Sequence, residues 1–226
     1  MKNIIFLFFI ASLFLVSVSC NELDNIFGNK KEDPNQLGGS GNIPIAQVGN
    51  TFELSPRIGD KAIELNEKIK VAKNENGLVT MDVECDIPNI PELKTYIDRI
   101  PSTLKSNGRI KTQLKFKMTN EGLQDFFNKD EKPHTLVKYN AKVGDEYKLT
   151  KSDGKTITRK VIARSDVDDF PYGFFDIKTI TIEQDSRIAG IKKFVFRANH
   201  KFGLVHVEAH MDDGSIVKSY IFTNNY

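Results

Sequence analysis

The chain has 226 residues, of which 39% are hydrophobic and 27% charged, and a formal net charge of +2. So even a balance lacks the concentrated basic face that nucleic acid requires, and no nucleic-acid partner is expected. With only two cysteines, Cys20 and Cys85, stability must come from a core, and the roughly 180 residues after Val48 are enough for one domain that supplies it.

The chain begins with a single basic residue, Lys2, then an apolar run from Ile4 to Val18 and the small residue Ser19 before Cys20. That order is an export signal, and the run of about 15 residues is short for a membrane span. Val16-Ser17-Val18-Ser19-Cys20 resembles the lipobox of bacterial lipoproteins, with Ser17 where that family usually has Leu. The resemblance implies a signal peptide over residues 1–19 and a lipidated Cys20 as the new N-terminus. Two or three acyl chains, each buried methylene adding about 0.8 kcal/mol, would hold the protein permanently on a membrane. The alternative is ordinary secretory cleavage near Ser17 or Ser19, with Cys20 left as a thiol. Asn21 stands where some lipoproteins carry a retention Asp, which points to the outer membrane or cell surface, with the periplasmic face as the alternative.

Residues 20–45 read as a flexible tether. Asn29 to Gln36 is polar, and Gly38-Gly39-Ser40-Gly41-Asn42 has a linker's composition. Residues 46–226 then read as one β-rich domain. Val79, Met81, Val83, Cys85 and Ile87 alternate with Thr80, Asp82, Glu84 and Asp86, and Ile110 to Met118 alternate with Lys111, Gln113, Lys115 and Lys117. Further strands are expected over Glu146–Thr150, Lys155–Arg164, Ile177–Glu183, Lys192–Asn199, Leu204–Met211 and Ile216–Thr223. Asn76-Gly77, Asp153-Gly154 and Asp213-Gly214 mark hairpins. For both Asp-Gly turns a three-residue loop ending in the Gly sets Leu149 opposite Ile157 and Ala209 opposite Val217. A two-residue loop would put apolar against polar, so the pattern selects the bulged loop.

Two helices are expected. One spans Pro91–Lys105, with Leu93, Ile97, Ile100 and Leu104 on a stripe that Pro101 kinks or ends, and the other Asn120–Asn128, carrying Leu123, Phe126 and Phe127. The fold class is mainly β with some α: a curved antiparallel sheet or open half-barrel with one or two short helices packed on it. A two-sheet β-sandwich is the alternative.

His206, Glu208 and His210 share one strand face at about 6.6 Å spacing and have the donor types of a zinc or iron site. The bulged register puts Lys218 opposite Glu208, so an ion-paired face is expected and no metal. Cys85 shares a face with Val83 and Ile87 and reads as a buried, inert thiol. Asp166, Asp168 and Asp169 lack an EF-hand's Gly and terminal Glu and read as a turn. The lysine stripe is expected to pair with Asp82, Glu84 and Asp86 across strands. Phe170, Tyr172 and Phe174, with Pro171 and Phe175, crowd one turn, as a ligand-facing lip or as a loop folded back on the core.

Val143-Gly144-Asp145-Glu146-Tyr147, Tyr172-Gly173-Phe174-Phe175-Asp176-Ile177-Lys178, and Phe202-Gly203-Leu204-Val205 before Asp213-Gly214-Ser215 are similar to strands of β-rich exported lipoprotein domains of unknown function. The similarity runs over residues 142–222 and implies a fold and a location. The sequence has no nucleophile–base pair and no Gly-rich phosphate loop, so no catalytic residue and no cofactor are assigned. The expected function is a non-catalytic binding or interaction domain on a membrane anchor, for an unknown protein or a small apolar ligand. A lipid carrier with an apolar cavity walled by Pro91–Lys105 and Phe126–Phe127, and a hydrolase using scattered carboxylates, are the alternatives.

Overall fold

The computed structural model describes residues 35–87, 90, 94–98 and 100–226. Cys20, the signal segment and most of the expected tether lie outside them. In chain order the strands are β1 (Thr51–Ile58), β2 (Lys61–Ala62), β3 (Glu67–Glu75), β4 (Leu78–Asp86), β5 (Lys105–Ser106), β6 (Arg109–Thr119), β7 (Gly122–Asp125) and β8 (His134–Lys138). There follow β9 (Glu146–Thr150), β10 (Thr156–Arg164), β11 (Phe170–Tyr172), β12 (Phe175–Ile177), β13 (Ile180–Asp185), β14 (Ile191–Asn199), β15 (Gly203–Met211) and β16 (Ile216–Thr223). One helix, α1 (Lys94–Asp98), and two 3-10 turns complete the described elements.

Fourteen strands form one antiparallel sheet in the order β8-β7-β6-β4-β3-β1-β16-β15-β14-β13-β10-β9, with β2 on β1 and β5 on β6, and β11 and β12 form a separate two-stranded sheet. The larger sheet curls into a nearly closed barrel. Alternation explains the curl's inner face: Val79, Met81, Val83 and Cys85 of β4 and Ile110, Leu114, Phe116 and Met118 of β6 are all buried. Their polar neighbours face out, and the expected cross-strand pairing holds in part: Lys111 and Arg109 pair with Glu84 and Gln113 with Asp82, while Lys115 lies over the Phe126 ring and Lys117 donates to the Leu37 carbonyl. Both Asp-Gly hairpins adopt the bulged loop, Leu149 opposite Ile157 and Ala209 opposite Val217. At Asn76-Gly77 both residues take positive φ, 51° and 89°, as a two-residue hairpin turn demands.

Two expectations about helices are corrected. Asn120–Asn128 is no helix: Gly122–Asp125 is strand β7, paired Phe116 to Asp125 and Met118 to Leu123. The apolar residues there are placed by cross-strand partners on β6, and a run this short cannot stabilise a helix alone. Within Pro91–Lys105 the described helix is only Lys94–Asp98, followed by a 3-10 turn at Ser102–Leu104 after Pro101.

Residues 35–45, which composition assigns to the tether, pack on the barrel. They run down the outer face of β6–β8, where Leu37 is buried, Lys117 Nζ donates to the Leu37 carbonyl and Ser40 bonds to Asn120. They then cross the barrel's end so that Ile45, 1% exposed, enters the interior. The glycines serve close approach here: a Cβ on Gly41 would stand 2.0 Å from the Gly77 nitrogen. Only Gly lets the two backbones touch.

β8 and β9 close the barrel with side chains instead of a ladder. Asn35 Oδ1 accepts from the Thr135 amide of β8, and Asn35 Nδ2 donates to the Lys148 carbonyl of β9. Inside, His134 Nε2 donates to the Tyr147 carbonyl at 3.1 Å, and the Lys138 amide donates to the Tyr147 hydroxyl.

Candidate functional site

The interior divides into two spaces. Near Ile45 an apolar cavity of about 80 Å³ lies among Phe52, Ile69, Leu114, Phe116 and Leu204. That is room for about three water molecules and none for an acyl chain. Its wall is built by strands, Ile45 and the turn residue Phe202, with no described residue of 91–105 and neither Phe126 nor Phe127. At this end the sheet's own side chains take up most of the concavity.

At the opposite end, beside the seam, a cavity of about 390 Å³ opens to solvent. It falls within the size range of small-molecule sites. Strands β7, β10, β13 and β14 and the loops after β7, β9 and β13 supply its walls. Phe127, Ile157, Phe194 and Phe196 line it on the apolar side. Phe194 and Phe196 point inward two residues apart on β14 and stack with ring centroids 6.2 Å apart.

Arg159 is the floor. It projects inward from β10, is 5% exposed, and donates to three elements at once: Nε to Gln184 Oε1 of β13 at 2.7 Å, Nη1 to the His134 carbonyl of β8 at 3.0 Å, and Nη2 to Asp125 Oδ2 of β7 at 2.7 Å. Its guanidinium also lies 5.8 Å from the Phe196 ring centre. A buried charge needs this completeness, because unpaired it would cost several kcal/mol. His134 is 1% exposed, and burial, then the Arg159 charge, pushes its imidazole down to about 3. It is neutral and carries its proton on Nε2, where the Tyr147 carbonyl accepts it. On the rim, Asp153 receives Lys129 at 3.4 Å and Lys151 at 3.5 Å. Desolvation works to raise Asp153, but the Lys155 amide and the two lysines outweigh it and hold the carboxyl below its ordinary value.

The residues singled out in the sequence lie elsewhere. His206, Glu208 and His210 do share the outer face of β15, but Glu208 pairs with Arg197 of β14 at 2.6 Å and accepts from His210 Nε2 at 2.8 Å. The expected partner Lys218 is its register neighbour, yet the shorter reach belongs to Arg197. Arg197 Nη1 also donates to His206 Nδ1 at 3.1 Å, so a guanidinium occupies the centre of the triad. Burial takes His206 down to about 4 against the pull of Glu208. Among the described residues no group of three or more His, Cys, Asp or Glu is arranged to hold a metal.

The hairpin β11–β12 folds onto the barrel's outer wall. Phe170 lies between His206 and Tyr220, at 5.6 and 5.8 Å between ring centres, and Tyr172 is buried with its hydroxyl donating to the Ile221 carbonyl. Phe174 stands at the tip, fully exposed. None of the three lines either cavity described above. Cys85 is buried and its thiol donates to the Asp86 carbonyl. Asp166 pairs with Arg164, Asp168 accepts the Lys178 amide and Asp169 accepts the Ser165 hydroxyl. Sequence reasoning missed the polar cavity because Asp125, Arg159 and Arg187 are far apart in the chain. One signal was present: Arg159 falls on the inward-facing side of a strand whose register was already fixed.

Two solved structures are similar to this chain. A Bacteroides fragilis chain described as an exported protein with a YmcC-like fold superposes with a TM-score of 0.45 at 9% identity, over 79% of this chain and 96% of that one. A Parabacteroides distasonis chain described as a lipoprotein gives a TM-score of 0.43 at 9% identity, over 82% and 98%. No protein-family profile matches the chain, and no curated protein matches it.

Proposed function

We propose that the chain is a lipid-anchored envelope protein whose barrel is a non-catalytic binding module, with the polar cavity as its ligand site. The cavity carries the reading. It is open, it combines aromatic walls with fixed charges, and those charges are held by each other and by the backbone before any ligand arrives. Preorganised polar groups over an apolar wall are what a small-molecule site requires. Asp153 on the cavity rim is held below its ordinary value, whereas a glycosidase-type acid needs the opposite shift.

The anchor rests on Lys2, the apolar run and Cys20. Cys20→Ser is expected to move the protein from the membrane fraction to the soluble one. For the site, Ser186→Trp at the cavity wall is the informative variant. A panel of small acids, bases and neutral compounds is added to the full mature chain, with Tm as the readout. A cavity ligand at a hundredfold its Kd adds about 2.7 kcal/mol to the unmodified chain and nothing to the variant. A panel that shifts neither chain, or both alike, contradicts the reading.

A further inference from the structure

The cavity's charges are unequal, and the inequality names a ligand class. Five of its lining side chains are cationic and three anionic. The acids are largely spent inside the protein. Asp125 belongs to Arg159, both nearly inaccessible, and Asp153 is shared by Lys129 and Lys151. That leaves Lys155 and Arg187 at the mouth, with Asp185 the one remaining acid. No ion pair joins either cation to a carboxylate among the described residues, and both are exposed. Arg187 is nevertheless held in place, since its Nη2 donates to the Thr156 carbonyl. Lys155 sits on a loop fixed by its own amide, which donates to Asp153 Oδ1 at 3.0 Å. Between this mouth and the Arg159 floor stand Ile157, Phe194 and Phe196.

We infer that the cavity binds a small organic anion with an apolar body, its phosphate or carboxylate head between Lys155 and Arg187 and its body against Phe194, Phe196 and Ile157. This rests on the binding reading above and adds the chemistry of the ligand. Three physical points support it. A positive mouth raises the local concentration of anions. A guanidinium offers paired donors to a phosphate or carboxylate. The aromatic wall rewards burial of the body by about 25 cal/mol for each Å² removed from water. A bare inorganic anion would use only the first two. A cationic amphiphile would meet Lys155, Arg187 and the lysines around Asp153.

The test titrates the full mature chain by calorimetry with octyl phosphate, octanoate, octanol, octylamine and inorganic phosphate, each below any micelle-forming concentration. The two octyl anions are expected to bind at least tenfold more tightly than octanol, octylamine or phosphate alone. Charge reversal by Lys155→Glu with Arg187→Glu should weaken them at least tenfold and leave the far-UV spectrum unchanged. Ser186→Trp should abolish binding of both. If octanol or octylamine binds as well as octyl phosphate, and Ser186→Trp abolishes it, the cavity is the site and the anion assignment is wrong. Octyl-anion binding that survives charge reversal overturns the assignment in the same way. If no probe gives heat that Ser186→Trp removes, the binding reading fails together with it.

Discussion

The two ends of the barrel are finished in opposite ways. One is filled by apolar side chains, Ile45 of the strap among them, which leave a space of about 80 Å³. The other keeps about 390 Å³ open over a buried arginine, an aspartate, a glutamine and two stacked phenylalanines. Hydrophobic residues close the plugged end, and closing an end with them carries no charge-desolvation cost. Retaining Asp125 and Arg159 in the interior of the other end requires a complete hydrogen-bond set and yields little net stability. The contrast sets an end closed by apolar packing against an end that keeps charges which add little stability.

Removing one member of the polar floor is the most damaging way to probe that contrast. Arg159→Met leaves the Asp125 carboxylate buried without its partner and is expected to cost about 3–5 kcal/mol in urea unfolding. Adding Asp125→Leu should recover most of that loss, because the uncompensated charge goes with it. A double variant no more stable than the single one would mean that the network holds the seam by geometry rather than by charge balance. At the plugged end, Ile45→Ala should cost about 2–5 kcal/mol through lost burial and an enlarged cavity, and it should leave ligand affinity at the far end unchanged.

Titration compares the polar interior with the outer wall next. His134 and His206 are depressed in the folded state, to about 3 and about 4, so the unfolded chain binds their protons first as the pH falls. Their contribution to stability is complete above pH ~6.5, the unfolded value, and is lost downwards through the folded values. The loss should be roughly 1 kcal/mol per pH unit for each histidine within that window. His134→Gln, which keeps a donor for the Tyr147 carbonyl, should remove about half of the slope in pH-dependent unfolding. The smallest effect is expected at the mouth: Lys155→Gln or Arg187→Gln should change stability by less than about 0.5 kcal/mol, since both are exposed.

The sequence showed the plain half of this molecule well. Period-two alternation identified β4 and β6 and their inner faces, and turn chemistry with that alternation set the register of both Asp-Gly hairpins to the residue. It failed where context outweighs composition. Gly38 to Asn42 has a linker's makeup, yet those glycines serve backbone contact with Gly77 and Asn120. Leu123 stands in a strand because Met118 pairs with it, although its neighbours' spacing suits a helix. The triad His206, Glu208 and His210 was seen as a group, but the cation that organises it comes from β14. The polar cavity was invisible for the same reason: its floor is a meeting of β7, β8, β10 and β13, which only the closed seam brings together.

The central claim is that the polar end binds ligand and the plugged end does not, and methyl NMR reads both ends in one experiment. The full mature chain, with isoleucine methyls labelled, is titrated with octyl phosphate. Ile157 and Ile188, which line the open cavity, should shift progressively and saturate, while Ile45 and Ile69 beside the plugged space stay fixed. Saturable shifts at Ile45 and Ile69 with none at Ile157 and Ile188, or no shifts at either end, would contradict the account.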